Sequence, residues 1–374
     1  MRREELLAIS FVIMSFNSLY QYSWNVLSPL ISEGLHATDV EVGVAFTIFA
    51  IVSTVSQLVV SPIVDSRGPR LIGTLASVAS AAGFLGGFAS RSIEEFYAWW
   101  AIGSAGEGIL YGIASNVAVK WFPDRRGLAT GLVSLGFGFG ASVANPFIEA
   151  ARSFRDVSLG IGLGELVVLT ALSSQLRYPG NLKGVSVSKA ARTGSWWLLY
   201  ASFVLALVPL VSFSSFMRGL SGLEGYLFLI AASAFPLASG LGRPVLGAVS
   251  DSIGRPLTIL ASLATSIAAS AMAFYGPGLV KIVGVILVGF SGGALIPLFF
   301  SVVGDLYGEA YSTSNNAAIY TGKAISGVLG GAVLAVLLSN NASQAHALLL
   351  ASPAAAAILV AAATGPRIRP PKRR

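Results

Sequence analysis

The sequence predicts an all-α integral membrane protein whose twelve transmembrane helices form two six-helix bundles. Three observations carry this: a charge-poor apolar composition, apolar runs of spanning length along nearly the whole chain, and a polar motif duplicated half a chain apart. Of 374 residues, 54% are hydrophobic and 11% charged, with a mean hydropathy of +0.75. Soluble domains carry about 25% charged residues.

A hydrocarbon core about 30 Å thick needs roughly 20 apolar residues in a helix. Runs that meet this requirement fall at 6–31, 39–61, 69–90, 93–119, 127–150, 156–177, 195–217, 226–249, 256–275, 277–303, 312–338 and 344–364. The first is too long for a signal-peptide core and lacks a cleavage site, so it reads as a mature span. The connections leave no room for a soluble domain. The longest, Tyr178 to Gly194, is polar and divides the chain into a bundle over 1–178, a linker over 179–194 and a bundle over 195–374 that ends in a basic tail, Arg367, Arg369, Lys372, Arg373 and Arg374.

The formal net charge is +7, and its distribution is topological. With the amino terminus inside, 17 of the 24 lysines and arginines fall on the cytoplasmic side and 5 outside. The positive-inside rule then places both termini in the cytoplasm of a multi-pass plasma-membrane protein. Charge spread over short loops gives no nucleic-acid surface; the bilayer is the macromolecular environment and a monomer the expected state. There is no cysteine, and the two histidines, His36 and His346, fall in short connections. With no nucleophile beside a base and no metal-ligand cluster, neither an enzyme nor a metal or cofactor site is expected.

The duplicated motif is Ser61-Pro62-Ile63-Val64-Asp65-Ser66-Arg67-Gly68-Pro69-Arg70 after the second span and Gly247-Ala248-Val249-Ser250-Asp251-Ser252-Ile253-Gly254-Arg255-Pro256 after the eighth, with the aspartates 186 residues apart. Gly68 and Gly254 permit a tight turn, Arg70 and Arg255 anchor it on the cytoplasmic side, and Asp65 and Asp251 are suited to face a helix amino terminus. These read as polar hinge loops of the gating machinery. Two halves of like topology are a secondary-transporter architecture.

Four ionisable residues fall at bilayer depth, away from the span ends: Glu107, Glu165, Arg243 and Lys323. Insertion scales put an arginine or lysine at a bilayer centre at about 2.5–3.5 kcal/mol, so such groups are functional candidates. By helical rise Arg243, Lys323 and Glu107 lie roughly 12, 16 and 19 Å from the cytoplasmic end of their spans. Two cations at one depth in the carboxyl half suit a bound anion, Arg243 as a planar fork and Lys323 as a point charge. Glu107 shares a helical face with Ser104 and Tyr111, and is either a proton-coupling group or a neutral acid hydrogen-bonded between helices. Glu165, in Gly160-Ile161-Gly162-Leu163-Gly164-Glu165, reads as structural. Glycines at 127, 131, 136, 138 and 140, and at 322, 327, 330 and 331, suit close helix packing.

The paired hinge motifs, the twelve spans and the equal division resemble the major facilitator superfamily over the whole chain, with Ser61 and Pro69 as departures. Gln21-Tyr22-Ser23-Trp24, Tyr111-Gly112-Ile113-Ala114-Ser115-Asn116, Trp121-Phe122-Pro123-Asp124-Arg125-Arg126-Gly127-Leu128-Ala129, Arg243-Pro244 and Lys323-Ala324 further resemble the oxalate/formate antiporter family. The resemblance implies the major facilitator fold, carboxylate binding by Arg243 and Lys323, and a cavity lined by Tyr22 and Tyr111, with Gln21 beside them. Tyr320 stands where that family has a tryptophan, and fewer aromatics imply a roomier cavity for a larger mono- or dicarboxylate. The expectation is therefore an alternating-access transporter exchanging small organic anions; the alternatives are a proton-coupled monocarboxylate symporter using Glu107 and a transporter-like solute sensor.

Overall fold

A computed structural model describes residues 2–365; the basic tail from Arg367 to Arg374 lies outside the described residues. Among them the chain is helical throughout apart from connections and one isolated β-bridge, Gly184 to Gly308. Twelve helical passes follow in the predicted order. Ten helices are long and apolar enough to cross a membrane. The other two passes are the first, which is broken, and the fourth, Ile93–Trp121, whose 29 residues carry Glu94, Glu95, Glu107 and Lys120.

The first pass consists of Arg3–Tyr22 and Trp24–Leu35, interrupted at Ser23. The amides of Val26 and Leu27 both donate to the Ser23 carbonyl. The Tyr22 carbonyl accepts instead from Asn145 Nδ2 at 3.4 Å. The eleventh pass also breaks, between Ser312–Tyr320 and Gly322–Val328. There the Thr321 hydroxyl donates to the Ala318 carbonyl at 2.7 Å and meets the Tyr200 hydroxyl at 3.0 Å, the back-bonding geometry that bends helices.

The second and eighth helices, Asp39–Arg67 and Gly225–Ile253, outrun their predicted ends. Asp65 and Asp251 therefore sit in final helical turns rather than in loops. The chain turns only at Gly68, with φ 85°, and Gly254, with φ 96°, a conformation that a Cβ disfavours. The linker is also more ordered than a polar connection requires: Val187–Ala190 forms a helical turn, and the Val185 amide donates to the Tyr307 carbonyl at 2.7 Å.

By packing, the chain divides into two compact units. One comprises the chain up to Trp121 with Val133–Leu182 and Ala310–Ala317; the other comprises Phe122–Leu132, Lys183–Glu309 and the chain from Ala318 onward. The first has an aromatic core in which Trp100 lies 4.6 Å from Tyr20 and 5.2 Å from Phe96 between ring centroids. The second is centred on Phe213 stacked with Phe274 at 5.7 Å, with Phe235, Leu334 and Leu349 around them.

Glycines fix several crossings. In the fifth helix, Arg126–Glu149, a side chain at Gly136 or Gly140 would collide with the first-span backbone at Phe11 or Ser15. One at Gly127 or Gly131 would strike the backbone at Gly247 or Arg243. In the eleventh pass Gly322 and Gly330 pack on the seventh helix, at Phe203, Val204, Val208 and Ser212. Gly327 and Gly331 do not share that packing: nothing stands within 4 Å of a Cβ built on either.

Candidate functional site

In the first unit the break after Tyr22 and the Gly136/Gly140 crossing bring two predicted cavity tyrosines to one ring. Phe137 takes Tyr22 edge-on at 5.0 Å and Tyr111 at 5.5 Å and 90°. Tyr22 remains 39% exposed whereas Tyr111 is buried at 5%. Gln21, one residue earlier, is partly buried. The sequence reading missed Phe137, although the Gly136-Phe137-Gly138 setting marks an aromatic on a face that must approach another helix closely.

Glu107 is buried, at 3% exposure. Its neighbours Gly106 and Gly108 explain the burial: a Cβ on the first would meet the backbone of Ala76 and Ser80, and on the second that of Ser53. The fourth helix is thus pressed against the third on one side and the second on the other. Asn17 Nδ2 from the first span donates to the Glu107 carbonyl at 3.1 Å. Glu165 is fully buried and accepts from the Ser80 hydroxyl at 2.7 Å.

The second unit holds both candidate anion-binding cations. Arg243 is 4% exposed, and the Gly131 contact fixes the position of its backbone carbonyl. Lys323 follows the helix break at Thr321 and is half-buried. Its ammonium donates to the Tyr320 hydroxyl at 3.1 Å and lies 5.2 Å from the centroid of that ring. Tyr320 is in turn packed edge-on against Phe300 at 6.0 Å. The phenol therefore orients the ammonium and supplies a cation–π contact, with the hydroxyl able to donate to a bound oxygen.

The duplicated motifs build two carboxylate latches. Asp65 Oδ2 accepts from the Ser314 amide at 2.8 Å and from its hydroxyl at 2.6 Å, while Oδ1 takes Lys120 Nζ at 3.0 Å. Asp251 accepts from the amides of Gly127 at 2.9 Å and Leu128 at 2.8 Å. Each aspartate thus meets the positive end of a helix. Ser314 stands 186 residues after Leu128, the same interval that separates the aspartates.

The cation partners differ between the copies. Arg255 pairs with Asp251 at 2.6 Å and with Asp305 at 3.3 Å. Arg70 is exposed and forms no ion pair among the described residues; Lys120 supplies the cation in the first latch. The cause is register: Pro69 occupies the place that Arg255 holds in the second copy. Arg126 pairs with both Asp305 and Glu309. Lys120, Arg126, Asp305, Glu309 and Ser314 were not among the predicted site residues. Helical spacing does not mark them, since Asp305 sits in the last turn of Leu279–Tyr307 while Glu309 lies beyond the turn at Gly308, with φ 79°. No group of three His, Asp or Glu residues suited to a metal occurs among the described residues.

Residues 6–331 match the family model described as Major Facilitator Superfamily. The chain is 45% identical over 346 residues to an uncharacterized 38 kDa protein in the 23S RNA operon of Thermoproteus tenax, covering 92% of this chain and 91% of that one. It is 29% identical to the oxalate:formate antiporter of Oxalobacter formigenes over 89% of this chain and 84% of that one. In structure it is similar to the E. coli fucose:proton symporter FucP, with TM-score 0.75 and 13% identity over 96% of this chain and 98% of that one. The human organic anion transporter MFSD10 is similarly close, with TM-score 0.76 and 16% identity over 96% of this chain and 100% of that one.

Proposed function

Because the chain belongs to the major facilitator superfamily and is a multi-pass membrane transporter rather than an enzyme, we propose that it moves small organic anions, mono- or dicarboxylates, by alternating access, exchanging one for another. The observation that carries this reading is that the second unit holds both a buried Arg243 and a Lys323 whose ammonium is held on Tyr320. Two cations offered by one unit suit a dianion, with the guanidinium taking a carboxylate through two parallel hydrogen bonds. The similarity to an oxalate:formate antiporter supports the substrate class. Tyr22, Tyr111 and Gln21 contribute the solute contacts of the first unit, and Tyr320, smaller than an indole, leaves room for a larger acid. The aspartate latches gate the side that bears the basic connections, which the positive-inside rule makes cytoplasmic.

Counterflow in proteoliposomes over a panel of mono- and dicarboxylates tests the reading. Exchange of at least one carboxylate pair, absent in Arg243→Ala, is expected. Binding without counterflow would instead make the protein a solute sensor, and counterflow indifferent to Arg243 and Lys323 would overturn the site.

A second reading, proton-coupled monocarboxylate uptake, is favoured by the burial of Glu107 at 3% exposure within the first unit. Charge arithmetic separates the two: with Arg243 and Lys323 counted as two positive charges, an ionised Glu107 leaves one net positive charge and suits a monoanion. Net uptake driven by a pH gradient in the absence of internal carboxylate is the outcome that selects this reading over exchange.

A further inference from the structure

The first compact unit contains, at the end that bears Arg67, a cleft with a cavity volume of about 550 Å³. Three guanidiniums, those of Arg67, Arg70 and Arg177, line it together with Lys120. Asp65 is the single lining acid, and Lys120 and Ser314 already occupy both its oxygens. The three arginines are exposed, and neither Arg67 nor Arg70 has a carboxylate partner among the described residues. Arg67 and Arg70 thus bring the cleft positive charge that its own acid does not neutralise.

Its level in the membrane follows from the helix ends. Arg67 is the last residue of the second helix, Arg70 stands in the first turn of the third, and Arg177 follows the sixth. All three lie where apolar spans give way to polar connections, the level of lipid headgroups. In the same two helices Ile63, one turn before Arg67, and Leu71 and Leu75, within the first two turns after Gly68, present exposed apolar side chains. A free phosphate has no use for that flank, whereas an acyl chain does.

We propose that this cleft is a binding site for the phosphate headgroup of an anionic membrane lipid, held by Arg67, Arg70 and Arg177 with its chains along Ile63, Leu71 and Leu75. Guanidinium forks match phosphate oxygens in geometry and charge, and basic pockets at the membrane surface select anionic lipids. The site is separate from the carboxylate-binding residues, so the proposal stands whichever solute is transported.

The test titrates the full chain, purified in neutral detergent, with phosphatidylglycerol, with phosphatidylcholine of the same acyl chains, and with inorganic phosphate, reading retained lipid by native mass spectrometry and protection against thermal unfolding. Phosphatidylglycerol is expected to be retained in preference to phosphatidylcholine, and Arg67→Gln/Arg70→Gln is expected to weaken that retention by about tenfold or more. Equal retention of both lipids, or unchanged phosphatidylglycerol affinity in the variant, overturns the site. Protection by inorganic phosphate as strong as by phosphatidylglycerol overturns the lipid assignment. Should the double variant fail to fold, Arg177→Gln alone carries the same comparison.

Discussion

Asp65 accepts two hydrogen bonds from Ser314, at 2.8 Å from the amide and 2.6 Å from the hydroxyl, although the residues lie 249 apart in the chain. Asp251 does the same work at Gly127 and Leu128. A carboxylate there satisfies amides that a helix start leaves without partners, so each latch joins helices that are distant in sequence by groups that can separate without breaking a helix.

The first latch is the more fragile to substitution. Asp65 and Lys120 have side chains 0% and 1% exposed, so Asp65→Ala strands a buried ammonium. The expected loss is about 3–5 kcal/mol of stability. Asp65→Ala/Lys120→Ala is expected to recover part of that loss, since it removes the stranded charge. Thermal unfolding of the single and double variants measures the coupling; additive losses would mean that the pair does not act as a unit.

For the anion site, each charge-assisted hydrogen bond removed costs about 1.5–3 kcal/mol. Arg243→Ala and Lys323→Ala are each expected to weaken carboxylate binding by at least tenfold, and Arg243→Lys to recover charge but not the planar fork. Tyr320→Phe removes the acceptor 3.1 Å from Lys323 Nζ while keeping the ring, and a smaller loss, within about tenfold, is expected. Ligand-dependent thermal shifts across the carboxylate panel rank the four variants.

The spans, the duplicated aspartates and the intramembrane cations were legible because each depends on local properties: run length, motif identity and the rarity of charge in apolar sequence. What stayed hidden depends on contacts across long separations. Lys120 reads as one more topological cation, and only the helix crossing reveals its pairing with Asp65. Asp305 and Glu309 look like a solvated helix end until Arg126, 179 and 183 residues earlier, is seen against them. The breaks at Ser23 and Thr321 were hidden for another reason: each run is apolar enough to continue as helix, and distant polar partners, Asn145 at the Tyr22 carbonyl and Tyr200 at the Thr321 hydroxyl, accompany the interruptions.

Glu107→Gln separates exchange from proton coupling. Glutamine keeps the shape and one acceptor, and the Asn17 contact to the backbone carbonyl is retained, so the folded state is expected to survive. If the carboxyl carries the coupled proton, the variant loses pH-driven uptake while counterflow persists. If the protein is an exchanger, both wild type and variant run counterflow with the same pH profile. Paired uptake and counterflow assays across a pH series decide it.

The glycine crossings yield a prediction with opposite signs in two helices. At Gly131 a methyl group would meet the Arg243 carbonyl and the Pro244 backbone, neither of which can rotate aside as a side-chain tip can. Gly131→Ala is therefore expected to cost about 1–3 kcal/mol by overpacking, and to weaken anion binding as well, because the displaced backbone carries Arg243. At Gly327 nothing lies within 4 Å of the added methyl, and the residue is inside the helix Gly322–Val328. Gly327→Ala is expected to stabilise by up to about 1 kcal/mol from helix propensity alone, with binding unchanged. Thermal unfolding with and without carboxylate measures both effects; a stable, fully binding Gly131→Ala protein would mean that the close crossing does not position Arg243.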